Sequence, residues 1–266
     1  MEIHLRGRTA LITGSTKGVG RAIAESLAEA GAKVILHGRA RTEQAEQVLS
    51  RCRELGPGAE FITGDLSAPT EAAVADVFQQ ALAVAPEIDT LVNNAGTYID
   101  KPYLEMDWET YEKTMRLNVA SPYFLTQAFA RRWVENQTSG RVLMIGSING
   151  RLAEQVHTAY DASKGAVEMM VKSLCVSLAP HNIRVNGLAP GLVVTPLTSI
   201  LEEDPRFRRW MNWHTPNGET PGPEVCGEGA VYLLSDAAKH VHGHMLLVDG
   251  GMSAWQQPDP PDSWEQ

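Results

Sequence analysis

Seven short apolar runs, at 9–13, 33–37, 60–63, 90–93, 141–146, 184–188 and 245–248, alternate with longer segments whose apolar residues recur at helical spacing. Ile23, Leu27 and Ala30 set that spacing in one segment; Val74, Val77, Phe78 and Leu82 set it in a second, and Val167, Met170, Val171 and Leu174 in a third. Strand and helix in strict alternation dictate right-handed crossovers and a parallel sheet covered by helices on both faces. No proline- or serine-rich linker divides the 266 residues, so one α/β domain over 1–253 is predicted, followed by an acidic, proline-rich tail at 254–266.

Charge and cysteine content exclude several alternatives. A net charge of −9 opposes binding to a nucleic-acid backbone or to anionic lipid. Cys52, Cys175 and Cys226 are odd in number and widely spaced, without a C-x-x-C pair, so neither a disulfide framework nor a zinc knuckle is expected. The first residues interleave charges with apolar side chains, and no run of 18 apolar residues occurs; a cytoplasmic protein that spans no membrane is predicted.

The first run is followed by Thr13, Gly14, Ser15, Thr16, Lys17, Gly18, Val19 and Gly20, which lead into a helix predicted to start near Arg21. Glycines in such a turn let the backbone approach a pyrophosphate, and the helix start offers free N–H groups and a positive dipole end. The second run ends in His37, Gly38 and Arg39. An acidic residue there would bind an adenosine 2′-hydroxyl; instead Arg39, with Lys17 nearby, suits a 2′-phosphate, which favours NADP(H) over NAD(H).

Tyr160 and Lys164 lie one turn apart at the start of a long helical segment, and Ser147 follows the fifth run thirteen residues earlier. A phenol is a weak base at neutral pH, but an adjacent ammonium is expected to lower its pKa towards the working range. Ser147 is placed to hold a substrate oxygen.

Taken in order, TGSTKGVG at 13–20, Asp65 in GDLS, NNAG at 93–96, Asn118 in RLNVAS, Ser147 in MIGSING, YDASK at 160–164, and Pro190-Gly191 with Thr195 resemble the short-chain dehydrogenase/reductase family over about residues 5–252. The resemblance implies a single Rossmann-type, doubly wound domain with a seven-stranded parallel sheet in the order 3-2-1-4-5-6-7. It implies Asn118, Ser147, Tyr160 and Lys164 as the catalytic set: Tyr160 as acid/base, Ser147 orienting the substrate oxygen, Lys164 on the nicotinamide ribose, and Asn118 holding a relay water. Gly14, Gly18 and Gly20 would form the pyrophosphate loop. Asp65, with Leu66 beside it, would meet the adenine, and Asn93, Ala95 and Gly96 would support the adenosine side. Pro190 and Gly191 would lead to Val193 and Thr195, which would hold the carboxamide. A homotetramer is implied as well.

The implied activity is reduction of a ketone or oxidation of a secondary alcohol with NADP(H). A 3-oxoacyl thioester is the first expected substrate class and a sugar or sugar acid the second; a non-catalytic NADP(H) sensor or scaffold is the alternative of another kind. Irregular stretches at 97–107 and 195–223 follow strand ends, where open α/β sheets bind ligands. The second reads as a lid, with Leu197, Ile200, Leu201, Phe207, Trp210, Met211 and Trp213 on an apolar side and Arg206, Arg208 and Arg209 among them. Glu154 and His157 either face a polar substrate or are plain loop residues. His240, His242 and His244 alternate so that an extended segment would put three imidazoles on one face, yet without a carboxylate partner a turn is expected there, and no metal.

Overall fold

A computed structural model describes residues 3–196, 198 and 200–255. The tail beyond Trp255, Leu197 of the predicted lid, and the side chains of Ile200 and Leu201 lie outside what is described.

Seven strands form one sheet: β1 (Thr9–Ile12), β2 (Lys33–Gly38), β3 (Ala59–Thr63), β4 (Thr90–Asn93), β5 (Arg141–Ile145), β6 (Arg184–Pro190) and β7 (Met245–Val248). Their order is β3-β2-β1-β4-β5-β6-β7 and every pairing is parallel, as the alternation and the resemblance predicted. Because both faces are covered, the strands are apolar nearly throughout rather than alternating, and β1, β4, β5 and β6 are buried at every residue.

One face packs on α1 (Gly18–Glu29), α2 (Glu43–Leu55) and α9 (Val225–Leu234), burying Ile23, Leu27, Val48, Leu49 and Leu233. The other packs on α3 (Thr70–Val84), α5 (Ser121–Glu135) and α6 (Thr158–Leu178), burying Val77, Leu125, Phe129, Trp133 and Val171. Trp133 is sealed in with its indole N–H donating to the Ile88 carbonyl at 2.7 Å. Between α3 and α5 lies α4 (Trp108–Met115), which continues through a π-helical turn, Arg116–Ala120, into α5.

At the amino-terminal edge of the sheet, Arg184 is buried and donates to the carbonyls of Leu233 (2.9 Å), Ala238 (2.9 Å) and Ser235 (3.0 Å), closing the end of α9. Burial lowers its pKa to about 10, so it remains charged at neutral pH. Arg184→Met removes the donor from three carbonyls at once. It is expected to cost about 3 kcal/mol of stability, read as a lower urea midpoint with an unchanged slope. An unchanged midpoint would show that water replaces the guanidinium without loss.

The carboxyl edge carries the irregular pieces. The 97–107 stretch holds a single 3₁₀ turn, Tyr103–Glu105, and the 195–223 stretch folds into α7 (Ile200–Glu203) and α8 (Pro205–His214), with Asp204 capping α8. Several boundaries differ from the sequence prediction, most of them by a single residue. Helix α1 begins at Gly18 rather than near Arg21, and β6 extends to Pro190. The three histidines are exposed in the turn before β7, and the positive φ of Gly243 (67°) breaks the extended path that would have aligned them. Among the described residues no group of three or more His, Cys, Asp or Glu side chains is placed to share a metal ion.

Candidate active site

The glycine loop is pinned from two sides. Gly14 has φ +64°, and its N–H donates to Nδ1 of His37 at 3.2 Å. Burial pulls the His37 pKa down to about 4, which keeps the imidazole neutral and Nδ1 free to accept. Ser15 is fully buried: its N–H donates to the His37 carbonyl (3.0 Å) and its hydroxyl accepts the His37 N–H (2.9 Å), so its side chain faces β2. Thr16 lies over Gly38, where a Cβ would come within 2.7 Å of its methyl.

On the other side stands Asn94, whose amide donates to the carbonyls of Thr13 (2.9 Å) and Gly14 (3.0 Å). The Thr13 hydroxyl in turn accepts the N–H groups of Asn94 and Ala95, each at 3.0 Å. Gly20 is obligatory here, because a Cβ would fall 2.3 Å from the Asn94 amide and 2.4 Å from the Gly14 carbonyl. The sequence reading passed over Asn94 and chose Asn93. The Asn93 side chain is buried and donates to the Thr126 hydroxyl at 2.9 Å, facing α5 and away from the loop.

Helix α1 opens at Lys17 with no side-chain cap and no acidic residue in its first turn, and Gly18 is held at φ +55°. Its first N–H groups and positive dipole end are left to an anion, and the missing Cβ atoms leave the backbone open to it. These residues therefore fit a dinucleotide pyrophosphate. Val19 points back into the core.

Lys17 and Arg39 are exposed, and Arg39 makes no hydrogen bond or ion pair among the described residues. Asp65 accepts the Ser67 hydroxyl (2.6 Å) and N–H (2.9 Å) at one carboxylate oxygen; Ser67 first, then Arg39 and Lys113, hold its pKa below the usual range. Leu66 is buried, and its carbonyl accepts the Ser121 hydroxyl at 2.7 Å.

At the other end of the cleft, Gly191 after Pro190 abuts Asp249, whose Cα would be 2.8 Å from a Cβ there. Thr198, also missed in the sequence, ties the next turn together: its hydroxyl donates to the Val193 carbonyl (2.6 Å) and accepts the Thr195 N–H (2.9 Å). Thr195 thereby lies over the glycine loop, 3.5 Å from where a Gly18 Cβ would sit.

Ser147 follows β5 and caps a 3₁₀ turn, accepting the Asn149 N–H at 3.1 Å, which turns its hydroxyl towards α6. Tyr160 and Lys164 stand in the first turns of α6, with the ammonium 5.5 Å from the phenol ring centre. Lys164 is buried and donates to the Ile145 carbonyl at 2.8 Å; burial lowers its pKa to about 8. Burial also pushes the Tyr160 pKa up to about 12, with the hydrogen bond from Ser147 acting in the opposite sense. This reverses the expected lowering by the ammonium, because loss of water around the ring outweighs a lysine whose own charge is disfavoured by burial.

Asn118 sits in the π-helical turn, buried, with both amide hydrogens used on the Thr97 carbonyl (2.8 Å) and the Ser163 hydroxyl (3.0 Å). Its oxygen accepts the Thr97 N–H at 2.9 Å. The side chain therefore clamps the start of the 97–107 loop against α6, and its amide has no donor left for a relay water.

A buried lysine with a half-buried tyrosine and serine, at the same carboxyl edge of a doubly wound sheet as an anion-ready glycine loop, is the site of an oxidoreductase. The family model described as enoyl-(acyl carrier protein) reductase matches residues 14–253. The 5-keto-D-gluconate 5-reductase of Escherichia coli K12 is 36% identical over 250 residues, covering 93% of this chain and 96% of that one. The 3-oxoacyl-[acyl-carrier-protein] reductase of Aquifex aeolicus is 33% identical over 256 residues, covering 95% and 100%. Among solved structures, a gluconate 5-dehydrogenase from Burkholderia cenocepacia J2315, in complex with NADP and tartrate, superposes with a TM-score of 0.88 at 34% identity, covering 96% and 98%. The chain belongs to the short-chain dehydrogenase/reductase family.

Proposed function

We propose that the protein is an NADP(H)-dependent oxidoreductase that interconverts a ketone and a secondary alcohol on a sugar-type substrate. The observation that carries the reading is the buried Lys164 ammonium set 5.5 Å from the Tyr160 ring centre, with half-buried Ser147 after β5, at the same carboxyl edge of the sheet as the Gly14–Gly18–Gly20 loop. The loop and the α1 start hold the pyrophosphate, Arg39 and Lys17 the 2′-phosphate. Asp65, Leu66, Ala95 and Gly96 line the adenosine side, and Pro190, Gly191, Val193 and Thr195 the nicotinamide side. The nicotinamide, when bound, supplies or takes the hydride.

In the reductive direction Tyr160, protonated at neutral pH with its pKa near 12, donates to the substrate oxygen that the Ser147 hydroxyl holds. Lys164, charged below about pH 8, stabilises the phenolate left behind and binds the ribose. Asn118 is a positioning residue. Helices α7 and α8 act as the lid of a single catalytic domain.

Among the two substrate classes the sugar type is favoured, because Asp100, Glu154, His157 and Asn149 gather beside Tyr160 where an acyl chain would need apolar cover. Relatives bearing both activities support the wider reaction class. The exposed Tyr123, Phe124, Val134, Met169 and Val176 on α5 and α6 support self-association, read here as a homotetramer. Among the described residues no helix is long and apolar enough to cross a membrane, and a cytoplasmic location is proposed.

Fluorescence titration with NADPH, followed by a carbonyl screen, tests the assignment. Saturable binding and oxidation of the bound dinucleotide by a ketose or keto-acid are expected. Binding without turnover across the whole screen would point to a sensor or scaffold instead.

A further inference from the structure

The two loops that meet over Tyr160 share a polar wall. Lys101 N–H donates to the Val156 carbonyl at 2.9 Å, joining the 97–107 loop to the segment before α6. Around that bond, His157 Nε2 lies 2.7 Å from Asp100 Oδ1, and its Nδ1 lies 3.3 Å from Glu154 Oε1 without forming a hydrogen bond. The ring centre of His157 is 6.2 Å from that of Tyr160; Tyr98 packs against both, edge-on, 5.2 Å from His157 and 5.9 Å from Tyr160. Asn149, which Ser147 caps, donates to Glu154 (3.1 Å) and Asp161 (2.9 Å) and fixes the wall to the reacting hydroxyls.

The charge of this wall is one-sided. Whether His157 is neutral or protonated, the group of Asp100, Glu154 and His157 is negative. Cations in the same loops are spent elsewhere: Arg151 makes a two-pronged bridge to Glu168, each prong at 2.9 Å, and Lys101 pairs with Asp107. Asp100 and Glu154 are more than half exposed, so their remaining oxygens stay open as acceptors towards a ligand. Hydroxyl groups can donate to them, and the C–H face of a sugar can lie on the flat ring of Tyr98. A substrate carboxylate can do neither and meets like charge at short range.

We propose that Asp100, Glu154 and His157 are specificity-determining residues that select an uncharged polyhydroxylated substrate over its carboxylate counterpart. The proposal rests on the sugar-type reading above. Asp100 and Glu154 accept substrate hydroxyls, and the His157 bridge holds Asp100 in place. The cations able to oppose this selection are Arg206, Arg208 and Arg209 on the exposed side of α8.

The test compares kcat and KM for matched pairs, a neutral ketose or polyol against the keto-acid or sugar acid of the same carbon skeleton, with a 3-oxoacyl thioester alongside. Wild-type protein is expected to favour the neutral member by at least about tenfold in kcat/KM. In Asp100→Asn/Glu154→Gln that ratio is expected to fall at least about tenfold, chiefly through KM, with NADPH affinity and thermal midpoint retained. Equal or better use of the acid by wild type overturns the proposal, as does an unchanged ratio in the double variant. Loss of acid turnover in Arg206→Gln/Arg209→Gln from a wild type that prefers acids would assign selection to the lid instead. Turnover of the thioester alone would overturn the sugar-type reading itself, an outcome distinct from sugar turnover without charge discrimination.

Discussion

Tyr160→Phe is expected to lower turnover by about three orders of magnitude while NADPH still binds, within the range by which a positioned proton donor accelerates reaction. The substitution removes one oxygen and keeps the ring, which packs at the foot of the wall formed by Tyr98 and His157. Ser147 remains to hold the substrate oxygen, but no neighbour replaces the proton: Lys164 is turned to the Ile145 carbonyl, and both Asn118 amide hydrogens are used. Steady-state turnover alongside a dinucleotide fluorescence titration separates the two effects. Near-wild-type turnover would remove Tyr160 from the proton path, and loss of binding would give it a structural role instead.

Dinucleotide preference should turn on Arg39. Wild-type protein is expected to prefer NADPH over NADH by at least about tenfold, or roughly 1.4 kcal/mol, which a charge-assisted pair to the 2′-phosphate supplies. Arg39 makes no hydrogen bond or ion pair among the described residues, and it lies close enough to act on Asp65. Arg39→Asp would set two carboxylates facing the phosphate and offer a hydroxyl acceptor to NADH in its place, so the order is expected to invert. The ratio of kcat/KM for the two dinucleotides checks this, and a ratio unchanged by the substitution overturns the role given to the end of β2.

The sheet was legible because a parallel strand covered on both faces must be apolar along its length, and β1 to β7 each stand out as such a run. The start of α1 was not, since Gly18 and Gly20 read locally as part of a turn. Only the approach of Asn94 shows why Gly20 has no Cβ, and only the positive φ of Gly18 shows why a glycine opens the helix. Asn118 and the Tyr160–Lys164 pair are singled out by their order in the chain. The π-helical turn that presents Asn118, and the saturation of its amide, depend on Thr97 and Ser163, 21 and 45 residues away in the chain. Spacing likewise paired Tyr160 with Lys164, but the sign of the phenol's shift follows from burial, which spacing does not carry.

The bracing of the glycine loop bears on how such a motif can be moved between proteins. TGSTKGVG is held by Asn94 amide bonds from the end of β4 and by His37 at the end of β2, and neither lies within the motif. Grafting those eight residues alone onto another sheet would carry over the glycines without the two clamps that give them their path. The smallest portable unit is three neighbouring strand ends, β2, β1 and β4, so recombination that separates them breaks the site even when every motif residue is kept.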